Sequence, residues 1–383
     1  MRGRWTGALV AVFFTLVIAG GAGGARAMGT WSPRGQVVVS KTAIASPSGN
    51  VTLLGLYLAH ANGSQCRALL RKPKGALDLA VSPDGRSVAY RVATSYEVPG
   101  DLVVSNVDGS SRRVLATNVT DVQGWVNNHQ FVYYEQAAET RMITIIRTDH
   151  SAGTPSKLSW SADHPDLFGG PIALSPDGQF MTFRRRLVGD RDTPPDVSVN
   201  VMRVDGVGGS RDLYHGQNTY AWEPAPSWSP DGLTLLFDDI ASIFRIAPDG
   251  SGLRRLTHPR TLTMDVGASW SPNGTKILFT SDRHVRPAAG GDATDPVGPF
   301  DVYVMNADGT HLRRLTVTKL PPPPRWVSGS WSGPWSPDSR GFAYGRLLDA
   351  AVQGVDGTGK RTICAGAKKG KITYQYTPLA WRR

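Results

Sequence analysis

The segment Trp228-Ser229-Pro230-Asp231-Gly232-Leu233-Thr234-Leu235-Leu236-Phe237 joins a turn to a strand. Pro230 presets a turn value of φ, Asp231 can accept a hydrogen bond from the backbone ahead of it, and Gly232 tolerates a positive φ. The apolar run that ends at Phe237 favours a β-strand. The segment therefore predicts a tight turn that opens one arm of a hairpin.

Copies of this segment recur along the chain. Six copies are complete or nearly complete, and a degenerate one begins at Trp125; the position of Ser229 is occupied by residues 32, 82, 126, 175, 229, 271 and 336. The spacing of roughly 40 to 65 residues contains only strand and turn signals, which is typical of a β-propeller.

A second motif lies between these copies, with Asp-Gly or Asn-Gly between two alternating apolar runs. The clearest example is Ile243 to Thr257, which contains Asp249-Gly250. Such a dipeptide between alternating apolar residues is the strongest short-range signal of a hairpin. Each repeat therefore has four strands: strand A leads into the Ser-Pro-Asp-Gly turn, strand B leaves it, strand C leads into the Asp-Gly turn and strand D leaves that turn.

The first repeat has strands B, C and D but nothing that could serve as strand A. The segment Ile372 to Trp381 resembles the strand A that ends at Trp228, and no strand B follows it. Joining the two ends would remove the open sheet edges. We predict an all-β fold, a β-propeller of seven four-stranded blades with six as the alternative, closed by the C-terminal strand joining the N-terminal blade.

The N-terminal residues have the pattern of a secretory signal. Two arginines precede an apolar run from Ala8 to Ala19, and Ala25-Arg26-Ala27 offers a cleavage site of small residues. We predict a signal peptide over residues 1–27, with an uncleaved anchor as the alternative, and a single propeller domain over 28–383. The protein would then be exported, as a periplasmic, cell-wall-associated or secreted protein, with no membrane span after signal removal.

The chain is basic, with a formal net charge of +11. For an exported protein this favours anionic cell-envelope polymers or acidic proteins as partners over nucleic acid.

The two cysteines, Cys66 and Cys364, fall on strand D of the first and last repeats. An oxidising compartment permits a disulfide, whereas the divergence of outer strands in adjacent blades opposes one. The sequence leaves the pairing open.

The serial Trp-Ser-Pro-Asp-Gly copies, together with Val304-Met305-Asn306-Ala307-Asp308-Gly309 and the Arg-x-Leu-Thr pattern of Arg313 to Thr316, resemble the WD-like propeller repeat of the TolB type. The resemblance covers nearly all of the chain after residue 27 and implies a propeller. Propellers of this kind serve as binding proteins, as gating domains of peptidases and as some lyases. Unlike TolB, the sequence shows no α/β segment before the first repeat.

The lengths of the connections predict the working face. The A–B and C–D turns are tight, and the long connections are all B–C or D–A, which emerge on one face of the disc. We call this the loop face. Because long loops on a rigid scaffold carry binding residues, we expect ligand-binding residues there; the candidates are Tyr96, Arg184, Arg186, Tyr220, Trp222, Arg286 and Trp326.

Acidic residues recur where each strand A begins. They are expected to ring the mouth of the central channel, where a cation could bind, or to cap their own turns. This channel-mouth acidic ring consists of Asp78, Asp121, Asp166, Glu223 and Asp265.

Catalytic motifs are absent from the sequence: no Gly-x-Ser-x-Gly elbow, His-Glu-x-x-His or phosphate-binding glycine loop occurs. Paired arginines on strand D, such as Arg254-Arg255 and Arg313-Arg314, are expected to be solvated and to protect the sheet edge.

We predict a non-catalytic, monomeric scaffold that binds a protein or a cell-envelope polymer through the loop face. No cofactor and no metal site is predicted, although a divalent cation is possible. The alternative is a polysaccharide lyase or hydrolase with a site at the channel mouth. Carboxylates that converge with His or Arg within ~5 Å and have perturbed pKa values would favour that alternative.

Overall fold

The computed structural model describes residues 31–45, 51–71, 76–94, 98–125, 128, 130–137, 140–147, 158–161, 172–187, 196–204, 207–217, 226–239, 242–260, 263–285, 299–318, 330–346, 349–365, 368–369 and 372–382. The strands in chain order are β1 (Gln36–Ala45), β2 (Val51–His60), β3 (Cys66–Arg71), β4 (Ala76–Val81), β5 (Ser87–Val92), β6 (Gly100–Asn106), β7 (Arg113–Trp125), β8 (Gln130–Ala137), β9 (Thr140–Arg147), β10 (Leu158–Ser161), β11 (Ala173–Leu174), β12 (Phe180–Leu187), β13 (Asp196–Arg203), β14 (Ser210–Gln217), β15 (Ser227–Trp228), β16 (Leu235–Asp239), β17 (Ser242–Ile246), β18 (Arg254–Arg255), β19 (Asp265–Trp270), β20 (Lys276–Ser281), β21 (Asp301–Asn306), β22 (Arg313–Arg314), β23 (Ser330–Trp335), β24 (Gly341–Arg346), β25 (Asp349–Gly354), β26 (Arg361–Ala365), β27 (Lys368–Lys369) and β28 (Ile372–Arg382). In these residues no helix is long and apolar enough to span a membrane.

Antiparallel pairing groups the described strands into successive four-stranded units, each in the order A, B, C, D. The units are β28-β1-β2-β3 (unit 1), β4-β5-β6-β7 (unit 2), β7-β8-β9-β10 (unit 3), β11 to β14 (unit 4), β15 to β18 (unit 5), β19 to β22 (unit 6) and β23 to β26 (unit 7). Strand β7 serves two units, because its first half pairs with β6 and its second half with β8.

The predicted all-β propeller is confirmed by this arrangement of four-stranded sheets. The number of blades, seven or the alternative six, stays a prediction, because residues 162–171 and 218–225 lie outside the described residues, just before two units whose described strand A has only two residues.

The C-terminal strand completes the N-terminal unit, as predicted. Strand β28 pairs with β1 from Gln36 opposite Arg382 to Ala45 opposite Ile372. A disulfide between Cys66 and Cys364, whose Cα atoms are 5.5 Å apart, joins strand D of unit 1 to strand D of unit 7. The outer strands therefore do not diverge at this seam, and the ring is closed both by hydrogen bonds and by a covalent bond.

The Ser-Pro-Asp-Gly turns share one hydrogen-bond pattern. In unit 5, Ser229 Oγ donates to Asp231 Oδ1 at 2.5 Å, Leu233 N donates to the same oxygen at 3.0 Å, and Thr234 N donates to Ser229 Oγ at 2.9 Å. Gly232 has a φ of 73°, which a residue with a Cβ rarely adopts. The same bonds occur at Ser82, Ser175, Ser271 and Ser336. These turns satisfy their own polar groups.

The tryptophan that ends strand A ties neighbouring units together. Each indole Nε1 donates to a backbone carbonyl in strand A of the preceding unit. The bonds are Trp125 to Ala80 at 3.0 Å, Trp228 to Ala173 at 3.3 Å, Trp270 to Ser227 at 3.3 Å, Trp335 to Ser269 at 3.4 Å and Trp381 to Pro334 at 3.0 Å. The last bond joins unit 1 to unit 7, where the two ends of the chain meet. Trp381 therefore links unit 1 to unit 7 in the way that Trp125 links unit 3 to unit 2.

Trp31 does not occupy the place that its Trp-Ser-Pro context suggests. Its N–H donates to Thr358 Oγ1 at 3.1 Å, and its ring lies against Gly341 of unit 7 and contacts Trp381 edge-on. The repeat position is filled by Trp381 because the C-terminal strand supplies strand A of unit 1. Trp31 instead packs against Gly341, Gly354 and Gly359 of unit 7.

Candidate functional site

Buried charge in the described residues is confined to the loop-face half of the sheets. The buried charged residues lie toward the ends of B strands, at the starts of A or C strands, or just after strand B. They are Arg91, Arg184, Asp238, Asp239, Asp265, Asp282 and Asp301. At the opposite face the carboxylates of the tight turns are bonded within their own turns. The two faces therefore differ in chemistry as well as in loop length.

The first charged network lies between units 4 and 5. Arg184 Nη2 on β12 is 3.2 Å from Asp238 Oδ1 on β16, and both side chains are less than 10% exposed. Next to Asp238, Asp239 Oδ2 accepts a 2.5 Å hydrogen bond from Tyr214 Oη on β14. These bonds connect two units at the end of strand B, where the loop face begins.

Burial sets the protonation behaviour of this network. It raises the pKa of Asp238 to about 6, and the nearby Arg184 guanidinium offsets only part of the shift. The pKa of the Tyr214 phenol is also raised, first by burial and then by its bond to Asp239. Asp238 and Tyr214 both hold their protons more firmly than they would in water.

The second network belongs to unit 6. Arg283, just after β20, donates to Asp265 at the start of β19: Nε lies 3.0 Å from Oδ1, and Nη2 bonds Oδ2. Its guanidinium also lies 5.6 Å from the ring centroids of Phe279 and Tyr303, in cation–π range. Asp265 is fully buried, and its charge is balanced by Arg283 of the same unit.

Asp301, at the start of β21, has bonding partners from several segments of unit 6. Its Oδ2 accepts from Arg314 Nε at 2.8 Å and lies 3.3 Å from His284 Nε2. Its Oδ1 accepts from Thr316 Oγ1 at 2.8 Å, from Thr318 N at 2.9 Å and from Thr318 Oγ1 at 2.8 Å. A single carboxylate thereby binds the segment after strand B and the segment after strand D.

The Arg-x-Leu-Thr pattern has a specific structural role. In unit 6, Arg314 Nε also donates to Thr316 O at 2.9 Å, and Thr316 Oγ1 accepts from Val302 N at 2.9 Å. Arg255 and Thr257 make the equivalent bonds in unit 5. In units 5 and 6 the second arginine is also bonded to a residue at the start of strand C: Arg255 to Ser242, and Arg314 to Asp301. Arg254, Arg255 and Arg313 are exposed, as expected for a solvated edge, whereas Arg314 is half-buried.

The predicted ligand-binding residues are only partly within the described chain. Arg184 is not in a loop, because β12 extends to Leu187 and pairs Arg184 with Val199; its side chain forms the buried ion pair with Asp238. Arg186 lies on the same strand, and its side chain is not described. The remaining candidates lie outside the described residues: Tyr96, Tyr220, Trp222, Arg286 and Trp326.

The acidic ring is placed in a similar way. Asp265 begins strand A of unit 6 as predicted, and its carboxylate binds Arg283 instead of capping a turn. Asp121 is half-buried at the start of the unit 3 half of β7, and Asp78 lies on β4 with its side chain undescribed. Asp166 and Glu223 lie outside the described residues, so the ring stays a prediction.

Sequence reasoning missed Asp301 and His284. The signal for Asp301 is its position directly before the alternating run of strand C, which Asp196 and Asp349 share at the starts of β13 and β25. No comparable signal marks His284, because its neighbours come from separate strands. Among the described residues, no group of three or more His, Cys, Asp and Glu side chains is arranged to hold a metal ion.

Comparison with known proteins supports the fold. No family model matches the sequence. The β-propeller domain of the trilobed protease from Pyrococcus furiosus is similar over 89% of this chain and 99% of its own, at 10% identity and a TM-score of 0.56. Oligogalacturonate lyase from Vibrio parahaemolyticus is similar over 88% of each chain, at 11% identity and a TM-score of 0.53.

TolB from Acinetobacter baumannii is also similar, over 90% of this chain and 67% of its own, at 16% identity and a TM-score of 0.48. The first two likenesses, with TM-scores above 0.5, support the fold. Sequence identities of 10% and 11% show the shared fold and not a shared function. The chain therefore has the β-propeller fold that its TolB-type repeat predicts.

Proposed function

We propose that the protein is an exported, monomeric β-propeller scaffold that binds a protein or an anionic cell-envelope polymer through its loop face and catalyses no reaction. The observation that carries this proposal is the concentration of buried, mutually neutralised charge at that face. Paired groups of this kind fix the ends of the strands and the first residues of the connections that leave them. A rigid base under long loops suits binding.

Export is supported by two independent features. The N-terminal pattern is that of a secretory signal, and the Cys66–Cys364 disulfide is stable in an oxidising compartment. The net charge of +11 favours an anionic partner by raising its rate of encounter.

One observation favours the alternative, a polysaccharide lyase or hydrolase. Asp238 has a raised pKa and lies 3.2 Å from Arg184, which meets the criterion of a carboxylate and an arginine that converge with perturbed titration. However, Asp238 is 6% exposed and Arg184 is 7% exposed, so neither can touch a polymer without rearrangement. We therefore rank the scaffold first.

A thermal-shift screen of the chain from Met28 onward tests the proposal. The probes are anionic glycans, including polygalacturonate, and divalent cations, each at two salt concentrations. Binding to the native state at a hundred times Kd adds about 2.7 kcal/mol of stability. We expect an anionic polymer to raise Tm at low salt, and the Trp326→Ala and Arg286→Ala variants to lose the shift.

Arg254→Ala is the matched control, because Arg254 is exposed on the opposite, tight-turn face. A shift that Arg254→Ala abolishes and Arg286→Ala does not would place binding on the wrong face and refute the proposal. Release of unsaturated or reducing sugar ends from the same polymers would establish the enzyme alternative. If no polymer shifts Tm, crosslinking to envelope proteins tests the protein partner.

A further inference from the structure

Two long connections of unit 6 start from one buried carboxylate. The B–C connection leaves β20 through Arg283 and His284, and the D–A connection leaves β22 through Thr316 and Thr318. Asp301 contacts His284, Thr316 and Thr318 and is fully buried. The two connections include the predicted ligand residues Arg286 and Trp326, which follow these contacts in the chain.

The negative charge of Asp301 is already balanced by Arg314. Around His284, the charged and titratable groups are Asp301 and Tyr303 on β21, Arg314 on β22, Asp282 and Arg283 on its own segment, and Asp265 on β19. Asp301 and Asp265 are each paired with an arginine, so neither offers an uncompensated negative charge to a protonated imidazole. Asp282 Oδ1 accepts from Met264 N.

The surroundings of the two ring nitrogens of His284 favour its neutral form. A carboxylate can only accept, so Nε2 carries the proton that faces Asp301. Nδ1 is buried and has no hydrogen-bond partner among the described residues. Adding a proton there would bury an unsatisfied N–H beside the arginine charge.

We propose that Asp301 is a positioning residue that fixes the first residues of both long connections of unit 6, and that His284 makes this attachment sensitive to acid. The inference concerns the regulation of the proposed binding face, so its biological meaning rests on the proposed function. Acid would release His284 from Asp301 and loosen the base of the B–C connection.

The direction of the pH effect on the contact between His284 and Asp301 follows from the surroundings of the imidazole. Burial, and then the charge of Arg314, lower the pKa of His284 below its ordinary value of 6.5, against the opposing effect of Asp301. A released imidazole takes up a proton at its ordinary pKa, whereas the docked one resists protonation. The docked state is therefore fully favoured above about pH 6.5 and loses its advantage as the pH falls through the docked pKa.

Amide hydrogen exchange, corrected for the intrinsic pH dependence, tests this without a ligand. Val285 N, which donates to Asp282 O at 2.8 Å, reports on the B–C connection, and Thr318 N reports on the D–A connection. Between pH 7.5 and 5.0 we expect the corrected exchange of Val285 in the wild type to rise by up to about thirty-fold. His284→Gln keeps an amide donor but cannot titrate. In this variant the corrected exchange of the Val285 amide should therefore not change with pH.

His258→Gln, a substitution at an exposed histidine in unit 5, should behave like the wild type. At pH 7.5, Asp301→Asn should increase exchange at both Val285 and Thr318. If Asp301→Asn does not fold, Thr318→Val, which removes only the hydroxyl bond, should still increase exchange at its own amide.

The proposal is overturned if Val285 exchange is independent of pH in the wild type, or changes equally in His284→Gln. Protection of the Thr318 amide that survives loss of the Asp301 contacts would also overturn it. Because no ligand is involved, these outcomes are distinct from a failure of the binding proposal, which the thermal-shift screen measures.

Discussion

Cys66 and Cys364, which are 298 positions apart, are joined by a disulfide with their Cα atoms 5.5 Å apart. The bond connects the outer strands of units 1 and 7, whereas nearer the centre β28 pairs with β1 inside unit 1 and Trp381 bonds Pro334 of unit 7. The ends of the chain are therefore held at two distances from the centre of the ring.

Removing the disulfide should destabilise the protein without opening the ring. In the chain-entropy model a loop of this length contributes on the order of 5 kcal/mol, which is an upper bound. We expect the Cys66→Ala, Cys364→Ala double variant to lose about 2 to 5 kcal/mol of unfolding free energy in urea, and to remain monomeric with native circular dichroism. The wild type with reductant should match it, and an unchanged midpoint in both would contradict the prediction.

Two tyrosines provide a matched pair of hydroxyl deletions. Tyr214 donates to the buried carboxylate of Asp239, so Tyr214→Phe leaves that carboxylate without its donor and should cost about 1.5 to 3 kcal/mol. The hydroxyl of Tyr344 is buried with no partner among the described residues. Tyr344→Phe should therefore be neutral or slightly stabilising. Urea unfolding of both variants decides the matter, and equal losses would show that the Asp239 bond contributes nothing specific.

Gly341 is required because Trp31 lies against it. A Cβ on residue 341 would lie 2.1 Å from Trp31 Cζ2, and Trp31 is only 3% exposed. Overpacking of this kind costs about 1 to 3 kcal/mol, so we expect Gly341→Ala to lower Tm. The cost should largely disappear in a Trp31→Ala background, as a double-mutant cycle would reveal. A cost that is independent of residue 31 would point to the backbone of β24 instead.

Stability should depend on pH in two opposite ways. Burial raises the pKa of Asp238 to about 6 from an ordinary value of 3.8, so its contribution is fully present below about pH 3.8 and is lost as the pH rises through about 6. The bond from Ser229 lowers the pKa of Asp231, so that contribution is present above about pH 3.8 and is lost on acidification.

These two terms place the greatest stability near pH 4, where the Asp231 contribution is present and the decline caused by Asp238 has barely begun. Loss of the His284 contact on acidification opposes the gain from Asp238. Urea unfolding from pH 3 to 8 measures the slopes. Asp238→Asn should lower stability overall, because the ion pair between Arg184 and Asp238 is lost, and should remove the decline between pH 4 and 6. Asp231→Asn should change the slope only below pH 4. A loss of stability with rising pH between 4 and 6 that survives in Asp238→Asn would contradict the assignment, because the His284 contact changes stability in the opposite direction.

The fold was predictable because the turns that define its repeat are formed by residues close together in the chain. Each Ser-Pro-Asp-Gly turn is built from bonds that span at most five positions, such as Thr234 N to Ser229 Oγ. The closing strand was also predictable, because the segment that ends at Trp381 repeats a pattern found inside the chain and Trp381 makes the same bond as Trp125.

A binding site on the loop face stays a prediction from the connection lengths, and the charge networks beneath that face follow from no local pattern. Arg184 is predicted in a loop and instead pairs in a strand with Asp238, 54 positions away. Asp301 gathers partners from both sides of β21 and β22, and no local motif includes them all. The disulfide was left open because outer strands usually diverge.

The sequence by itself determined the repeat, the four-stranded unit, the closure and the face that carries the long connections, because turns and strand alternation depend on neighbouring residues. Only the tertiary structure decided which charges neutralise each other, where Trp31 packs and that Cys66 meets Cys364. Those outcomes depend on distances between units of the closed ring, which bring together residues with no fixed spacing along the chain.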